Sequence, residues 1–314
     1  MEPHMIQNVE AQNSASKRLV GKVAVITGGA RGIGAATAKL FAENGAHVII
    51  ADVLDEEGTK VAELIDGLYI HCDVSKESDI ESAINLSMSW KGQLDIMFNN
   101  AGIAGRVVSG MSHIFIRVYL LVNITDMRVC SFQGFEGRSI TTLDMEKLTH
   151  LLSINLFGTI HGIKHAAKAM IKGKKGGSII CTSSAAATIG GFASHAYTMS
   201  KSAMDGLMRS AACELGVHLI RVNCVSPHGV PSEMLLNAFK CFGEVDMTSE
   251  QLSEFIGMNA SLLKGRGATT NDVAQAVLFL ASDESGFVTA HNLSVDGGIT
   301  SGNSVMSFIY QDPK

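Results

Sequence analysis

Apolar and polar positions come in blocks along this chain, and the blocks switch period in a regular way. Val23 to Ile26 is a continuous β-branched run, which predicts a buried strand. A glycine-rich turn over Gly28 to Gly34 follows, then a helical period from Ala35 to Asn44 that Gly45 stops. The same alternation predicts a strand at His47 to Ala51 ending on Asp52, then a helix at Asp55 to Ile65. Tyr69 to Cys72 reads as a strand, Glu77 to Trp90 as a helix, and Leu94 to Phe98 as a fourth strand. Beyond it come a long helix at Leu143 to Ile171, a strand at Ser178 to Thr182 and a helix at His195 to Leu215. Arg221 to Val225 (strand), Asn271 to Ala281 (helix) and Asn292 to Val295 (strand) close the series. Apolar strands between amphipathic helices predict an α/β fold, a doubly wound parallel sheet of about seven strands. With no linker to divide it, residues 19–314 read as one domain behind a polar, flexible tail, 1–18.

Two stretches break the rhythm. Residues 231–264 carry Met and Phe with weak strand signals and follow the sixth predicted strand, where a lid over a substrate cleft would sit. Residues 107–133 interrupt the chain ahead of the long helix.

Composition narrows the function classes. The chain has 314 residues, 46 % of them hydrophobic, with 32 Gly and only 4 Pro, a balance that suits a large core with many tight turns. A net charge of -5 without a basic run argues against nucleic acid and anionic membrane surfaces as partners. Cys72, Cys130, Cys181, Cys213, Cys224 and Cys241 form no paired motif, so reduced thiols and no metal site are expected. The first eighteen or so residues are polar and lack the apolar core of a signal sequence. The most apolar stretch outside the predicted core, Ile114 to Ile124, is too short to span a bilayer, which points to a cytoplasmic protein.

The chemistry begins at the glycine turn, Thr27-Gly28-Gly29-Ala30-Arg31-Gly32-Ile33-Gly34, set between a strand and a helix. Glycines there let backbone approach a pyrophosphate, whose charge meets the amides of the helix N-terminus. Asp52, about twenty residues on, is placed to accept hydrogen bonds from ribose hydroxyls. Together they read as a Rossmann-type dinucleotide site. A carboxylate at Asp52 repels a 2′-phosphate and favours NAD over NADP; Arg31, inside the turn, pulls the other way.

Tyr197 and Lys201 stand four residues apart on one helix face. A phenol with a pKa of about 10 is a poor base at neutral pH. An ammonium at ~5 Å, with an effective dielectric of ~20, supplies roughly 3 kcal/mol, or about two pKa units. Tyr197 would then take a substrate hydroxyl proton as hydride leaves carbon.

These motifs, with Cys-Asp-Val at 72–74, Asn-Asn-Ala-Gly at 99–102, Ser-Ile-Asn at 153–155 and Ser-Pro-His-Gly at 226–229, occur in the order found in short-chain dehydrogenases/reductases. The chain resembles that family from about Leu19 to its C-terminus. The resemblance implies a catalytic set of Asn155, Ser184, Tyr197 and Lys201, with Asn155 anchoring a water relay to Lys201. Ser183 is the neighbour with which Ser184 is easily confused. For the cofactor it implies Gly28, Arg31, Gly32, Ile33, Gly34, Asp52 and Val53, with Asp73 and Val74 beside the adenine. Asn100, Ala101, Gly102, Tyr197, Lys201, Pro227, Gly229, Val230 and Ser232 complete that set, and Asn99 would support the turn.

Several stretches, such as Ser194-His195-Ala196-Tyr197, resemble the plant secondary-metabolism branch of the family. That implies oxidation of a secondary alcohol or lactol of a terpenoid or lignan, in a homotetramer. The substrate would meet Ser184, Ala185, Ile189, Phe192, Tyr197, His228, Met234 and Leu235, with Pro231 and Phe239 nearby. Those walls are mostly apolar, which favours a hydrophobic, uncharged ligand. An NADPH-dependent ketone reductase and a cofactor-binding protein with little turnover are the alternatives.

About thirty residues between Gly102 and Asn155 exceed what that resemblance requires. Residues 107–133 read as a lid or membrane-touching hairpin, as an inert surface insertion, or, the reading we favour, as a retained intron.

Overall fold

A computed structural model of the protein describes residues 17–104, 139–237 and 247–302. The insertion 107–133 and Phe239 lie outside the described residues.

Seven strands form one wholly parallel sheet in the order β3-β2-β1-β4-β5-β6-β7. They are β1 (Val23–Thr27), β2 (His47–Asp52), β3 (Leu68–His71), β4 (Ile96–Asn99), β5 (Gly177–Thr182), β6 (Ile220–Pro227) and β7 (Asn292–Val295). The doubly wound α/β architecture expected from the sequence is present, with each strand within two residues of its predicted bounds.

Strand alternation sorts the apolar side chains between two cores. Val25, Ile49, Met97, Ile179 and Val222 face one way and pack on α3 (Glu77–Lys91) and the long helices after β4. Ala24, Ile26, Ile50, Phe98, Ile180 and Val225 face the other way. There they meet Ala38 and Phe41 of α1 (Gly32–Glu43) and Val273 and Val277 near the chain's end. Burial on both faces explains why the strands read as unbroken apolar runs.

α2 (Asp55–Leu64) joins β2 to β3. After β4, α4 (Met145–Leu152) is capped by the Asp144 carboxylate, which accepts from the amides of Glu146 and Lys147. A π-helical turn, Ser153–Phe157, then leads into α5 (Gly158–Gly173). The sequence predicted one uninterrupted helix here. The extra residue in that turn rotates Asn155 inward, where its side chain is fully buried.

α6 (His195–Leu215) follows β5, and α7 (Ser249–Asn259) and α8 (Thr270–Ala281) precede β7. Weak strand signals were expected over 231–264, yet residues 233–237 and α7 are helical. A reciprocal cap starts α7: Thr248 accepts from the Gln251 amide and the Gln251 side chain accepts from the Thr248 amide. At the N-terminus Arg18 is ion-paired with Glu284, and Leu19 is buried.

Candidate active site

Every strand that carries a predicted site residue ends at the same edge of the sheet. Thr27, Asp52, Asn99, Thr182 and Pro227 are the last residues of β1, β2, β4, β5 and β6. The strand order reverses between β1 and β4, the switch point at which open parallel sheets form a binding crevice beyond their strand ends.

The glycine turn forms one wall. Gly28 has φ +64°, and a Cβ on it would lie 2.8 Å from the Ala101 Cα. A Cβ on Gly34 would lie 2.0 Å from the Gly28 carbonyl oxygen, so only glycine fits between turn and helix. Gly34→Ala forces backbone apart and is expected to cost at least about 1–3 kcal/mol, read as a lowered melting temperature. Gly32 (φ +57°) has nothing within 4 Å of its Cβ position, which leaves its face open to the crevice. Ile33 packs partly against the core, and α1 starts at Arg31 with no side-chain cap. Its first amides therefore suit an anionic group.

Asn100 holds this turn in place. Its amide nitrogen donates to the carbonyls of Thr27 (3.2 Å) and Gly28 (3.0 Å), and its oxygen accepts from the Thr182 hydroxyl (3.3 Å). The amides of Asn100 and Ala101 donate to the Thr27 hydroxyl at 3.0 and 3.1 Å. The supporting role expected of Asn99 thus belongs to Asn100. Asn99 is the last strand residue, and alternation turns its side chain into the sheet's core, 3.7 Å from the Cys181 sulfur.

At the end of β2, Asp52 is 8 % exposed and accepts from the amides of Ala30 (2.9 Å) and Leu54 (3.1 Å). It braces the turn while standing at the crevice. Val53 beside it is exposed. Asp73 accepts from the Ser75 amide (3.1 Å) and hydroxyl (2.7 Å), while Val74 is buried against Gly158. Arg31 does not face Asp52 as an ion partner; it pairs with Glu233.

The opposite wall carries the acid–base groups. Ser194 caps α6 by accepting from the Tyr197 amide, which fixes the first turn of that helix. The Tyr197 phenol lies beside the Ser184 side chain. Burial holds the phenol above its ordinary pKa, and the polar Ser184 side chain offsets this in part. One helical turn on, Lys201 is 3 % exposed and its Nζ lies 5.5 Å from the centre of the Tyr197 ring. Nζ donates to the Thr182 carbonyl at 2.7 Å, and burial lowers its pKa to about 8. The ammonium expected to lower the Tyr197 pKa is close, but in the protein alone burial dominates the phenol.

Asn155 locks the floor. Its oxygen accepts from the Ile103 amide (2.8 Å), and its nitrogen donates to the Ile103 carbonyl (2.9 Å) and the Ser200 hydroxyl (3.2 Å). A Cβ on Gly102 would lie 3.2 Å from Asn155 Oδ1 and 3.7 Å from Lys201 Nζ, so Gly102 lets these two groups approach. Ser200, not foreseen as a site residue, is the link between Asn155 and the helix of Tyr197. Ser183 is distinct from its neighbour: fully buried, it donates to Asp205 (3.0 Å) and the Lys201 carbonyl (3.3 Å). It ties α6 to the sheet, whereas Ser184 faces Tyr197.

Beyond β6, the His228 ring packs against Phe192 in a tilted arrangement, with centres 4.9 Å apart. Burial lowers the His228 pKa, opposed by the Asp296 charge, so its imidazole is held towards the neutral form. Gly229 has φ +62° and packs on Ile256 of α7, and Val230 is buried. Pro227 ends β6 opposite Val295. Ser232 accepts from the Leu235 amide at 3.4 Å and starts the helical stretch at 233–237. Met234 is exposed; Leu235, Ile189 and Phe192 are half-buried. Ala185, expected in the substrate wall, is 1 % exposed and belongs to the core beneath it.

The site suits a nicotinamide dinucleotide on its own features: uncapped amides at α1, an open Gly32 face, a carboxylate at β2 and a buried ammonium beside a phenol. Among the described residues no group of acidic, His or Cys side chains is arranged to hold a metal ion, and no helix is long and apolar enough to cross a membrane.

Comparison with known proteins agrees. The profile of the short chain dehydrogenase family matches residues 22–240. The chain is 54 % identical over 299 residues to Short-chain dehydrogenase reductase ATA1 of Arabidopsis thaliana, covering 95 % of this chain and 99 % of that one. It is 40 % identical over 303 residues to (+)-borneol dehydrogenase 2 of Salvia officinalis, covering 95 % and 96 %. The crystal structure of levodione reductase superposes with a TM-score of 0.73 at 26 % identity, covering 91 % of this chain and 100 % of that one. The phenol, ammonium and glycine turn therefore sit in a framework shared in sequence and in three dimensions, and the chain is a member of the short-chain dehydrogenase/reductase family of nicotinamide-dependent oxidoreductases.

Proposed function

We propose that the protein is an NAD-dependent alcohol dehydrogenase that oxidises a secondary alcohol or lactol of a hydrophobic terpenoid or lignan. The observation that carries this reading is the convergence of Ser184, Tyr197 and Lys201 at the ends of β5 and α6, across the crevice from the glycine turn. A bound nicotinamide ring would supply the hydride acceptor. The protein's part is to hold the substrate hydroxyl and remove its proton. The Ser184 hydroxyl orients the substrate oxygen towards the Tyr197 phenol. Tyr197 receives the proton, and the Lys201 ammonium beside it stabilises the phenolate form. Asn155, locked between Ile103 and Ser200, keeps the α6 turn in register.

NAD is favoured because Asp52 stands where a 2′-phosphate would fall, and the one cation of the glycine turn, Arg31, is already paired with Glu233. That pairing weakens the NADPH-dependent reductase reading, whose support was a free Arg31. A hydrophobic substrate is supported by the walls at Ile189, Phe192 and Leu235 and by a neutral His228. The similarity to a borneol dehydrogenase, named for a secondary alcohol, agrees with it. We expect a homotetramer, supported by the exposed Phe157 at the end of the π-helical turn and the exposed Ile160 and Ile171 of α5.

The test is NADH formation over a panel of lipophilic secondary alcohols and lactols. Turnover of at least one, with NADP a weaker acceptor, is expected. Bound NAD with no turnover across the panel would favour a cofactor-binding protein instead.

A further inference from the structure

We propose that Glu233 is a cofactor-specificity residue, which holds the Arg31 guanidinium on the β6 side of the crevice and out of reach of a 2′-phosphate. The inference rests on the NAD reading above and adds to it a second determinant besides Asp52.

Sheet order makes the geometry clear. Asp52 ends β2, one strand from β1 on one side; Glu233 follows β6, three strands from β1 on the other. Arg31 sits between them, at the start of α1 directly above β1. Its guanidinium pairs with Glu233. Asp52 accepts one amide on each carboxylate oxygen, from Ala30 and Leu54, and keeps acceptor capacity for a ribose hydroxyl. The backbone carrying Glu233 is itself anchored, since Ser232 accepts from the amides of Leu235 and Leu236 through its side chain (3.4 Å) and carbonyl (2.9 Å).

The consequence concerns the ribose end of the crevice. A phosphate on the ribose 2′-oxygen would meet the Asp52 carboxylate with no cation to offset it. A guanidinium released from Glu233 is the group best shaped to supply two parallel bonds to that phosphate. Both partners are more than half exposed, 56 % and 64 %, so the pair is solvent-screened. The effect on discrimination is therefore severalfold, not orders of magnitude.

The experiment is calorimetric titration of the full chain with NAD+ and with NADP+, without substrate. Wild type, Glu233→Gln, Arg31→Met and the double variant are compared as the ratio of the two affinities. Glu233→Gln is expected to shift the ratio about threefold to fivefold towards NADP+, the range an exposed ion pair supports, and the double variant is expected to lose that gain. An unchanged ratio in Glu233→Gln, equal weakening of both cofactors, or a gain that survives without Arg31 each overturns the assignment. Wild-type protein that binds NADP+ more tightly than NAD+ overturns the NAD reading separately, because the role of Glu233 is read from the change in ratio.

Discussion

Tyr197→Phe is expected to lower alcohol oxidation by about a hundredfold to ten-thousandfold, the usual contribution of a positioned acid or base, while dinucleotide binding persists. The change removes one oxygen from a half-buried ring and keeps the ring's packing on α6. It deletes the phenol oxygen beside Ser184, the acceptor for the substrate proton. Burial already holds the phenol protonated in the protein alone, so Tyr197 is poised as an acid until substrate and a positive neighbour are both in place. Neither of its neighbours Lys201 and Asn155 can take over. Lys201 is committed to the Thr182 carbonyl, and Asn155 to Ile103 and Ser200. Single-turnover kinetics of the variant beside a calorimetric NAD+ titration separate lost chemistry from lost binding. Turnover within tenfold of wild type would remove Tyr197 from the acid–base role.

Much of this site could be read along the chain because each part occupies a strand end, and strand ends are marked by composition. An apolar run stops and a Gly, Asn, Asp or Ser cluster begins, as at Thr27-Gly28, Ala51-Asp52 and Thr182-Ser183-Ser184. Tyr197 and Lys201 were legible for a similar reason, since four-residue spacing on a helix fixes a shared face. What could not be read depends on contacts distant in sequence. Whether Asn99 or Asn100 holds the glycine turn is settled by one residue of strand alternation, which places Asn99 in the core and Asn100 beneath Gly28. The π-helical turn at Ser153–Phe157 has no signature in the local pattern; only the burial of Asn155 against Ile103 and Ser200 requires it. Glu233 lies 202 positions from Arg31 and looks like any surface carboxylate. Thr248 followed three residues later by Gln251 is a helix-start signal, and it marks the start of α7 within the Met- and Phe-containing stretch.

Replacing Lys201 by Met is expected to trade activity for stability, with a sign that depends on pH. Burial lowers the lysine from 10.5 to about 8, a drop equivalent to about 3 kcal/mol. At pH 7 the folded protein carries this charged ammonium in a site that is 3 % exposed, and unfolding returns it to water. Methionine removes that penalty but leaves the Thr182 carbonyl without its 2.7 Å donor, a loss of about 1–3 kcal/mol. The variant should therefore be as stable as wild type at pH 7 or more stable by up to about 2 kcal/mol. Between pH 8 and 10.5 the unfolded chain still binds the lysine proton while the folded chain has released it, so wild type gains stability as pH rises. The difference shrinks by about 3 kcal/mol across that window, and wild type becomes the more stable protein near its upper end. Groups that do not interact with Lys201, such as Cys72, are common to both proteins and cancel in the comparison. Activity moves the other way at pH 7. Loss of a cation 5.5 Å from the Tyr197 ring removes roughly 3 kcal/mol of support for the phenolate, or about a hundredfold in rate. Urea unfolding of both proteins at pH 7 and pH 10, beside their rates at pH 7, checks the two halves together. Stability curves that run parallel with pH would show that Lys201 is not the strained, charged group that burial makes it.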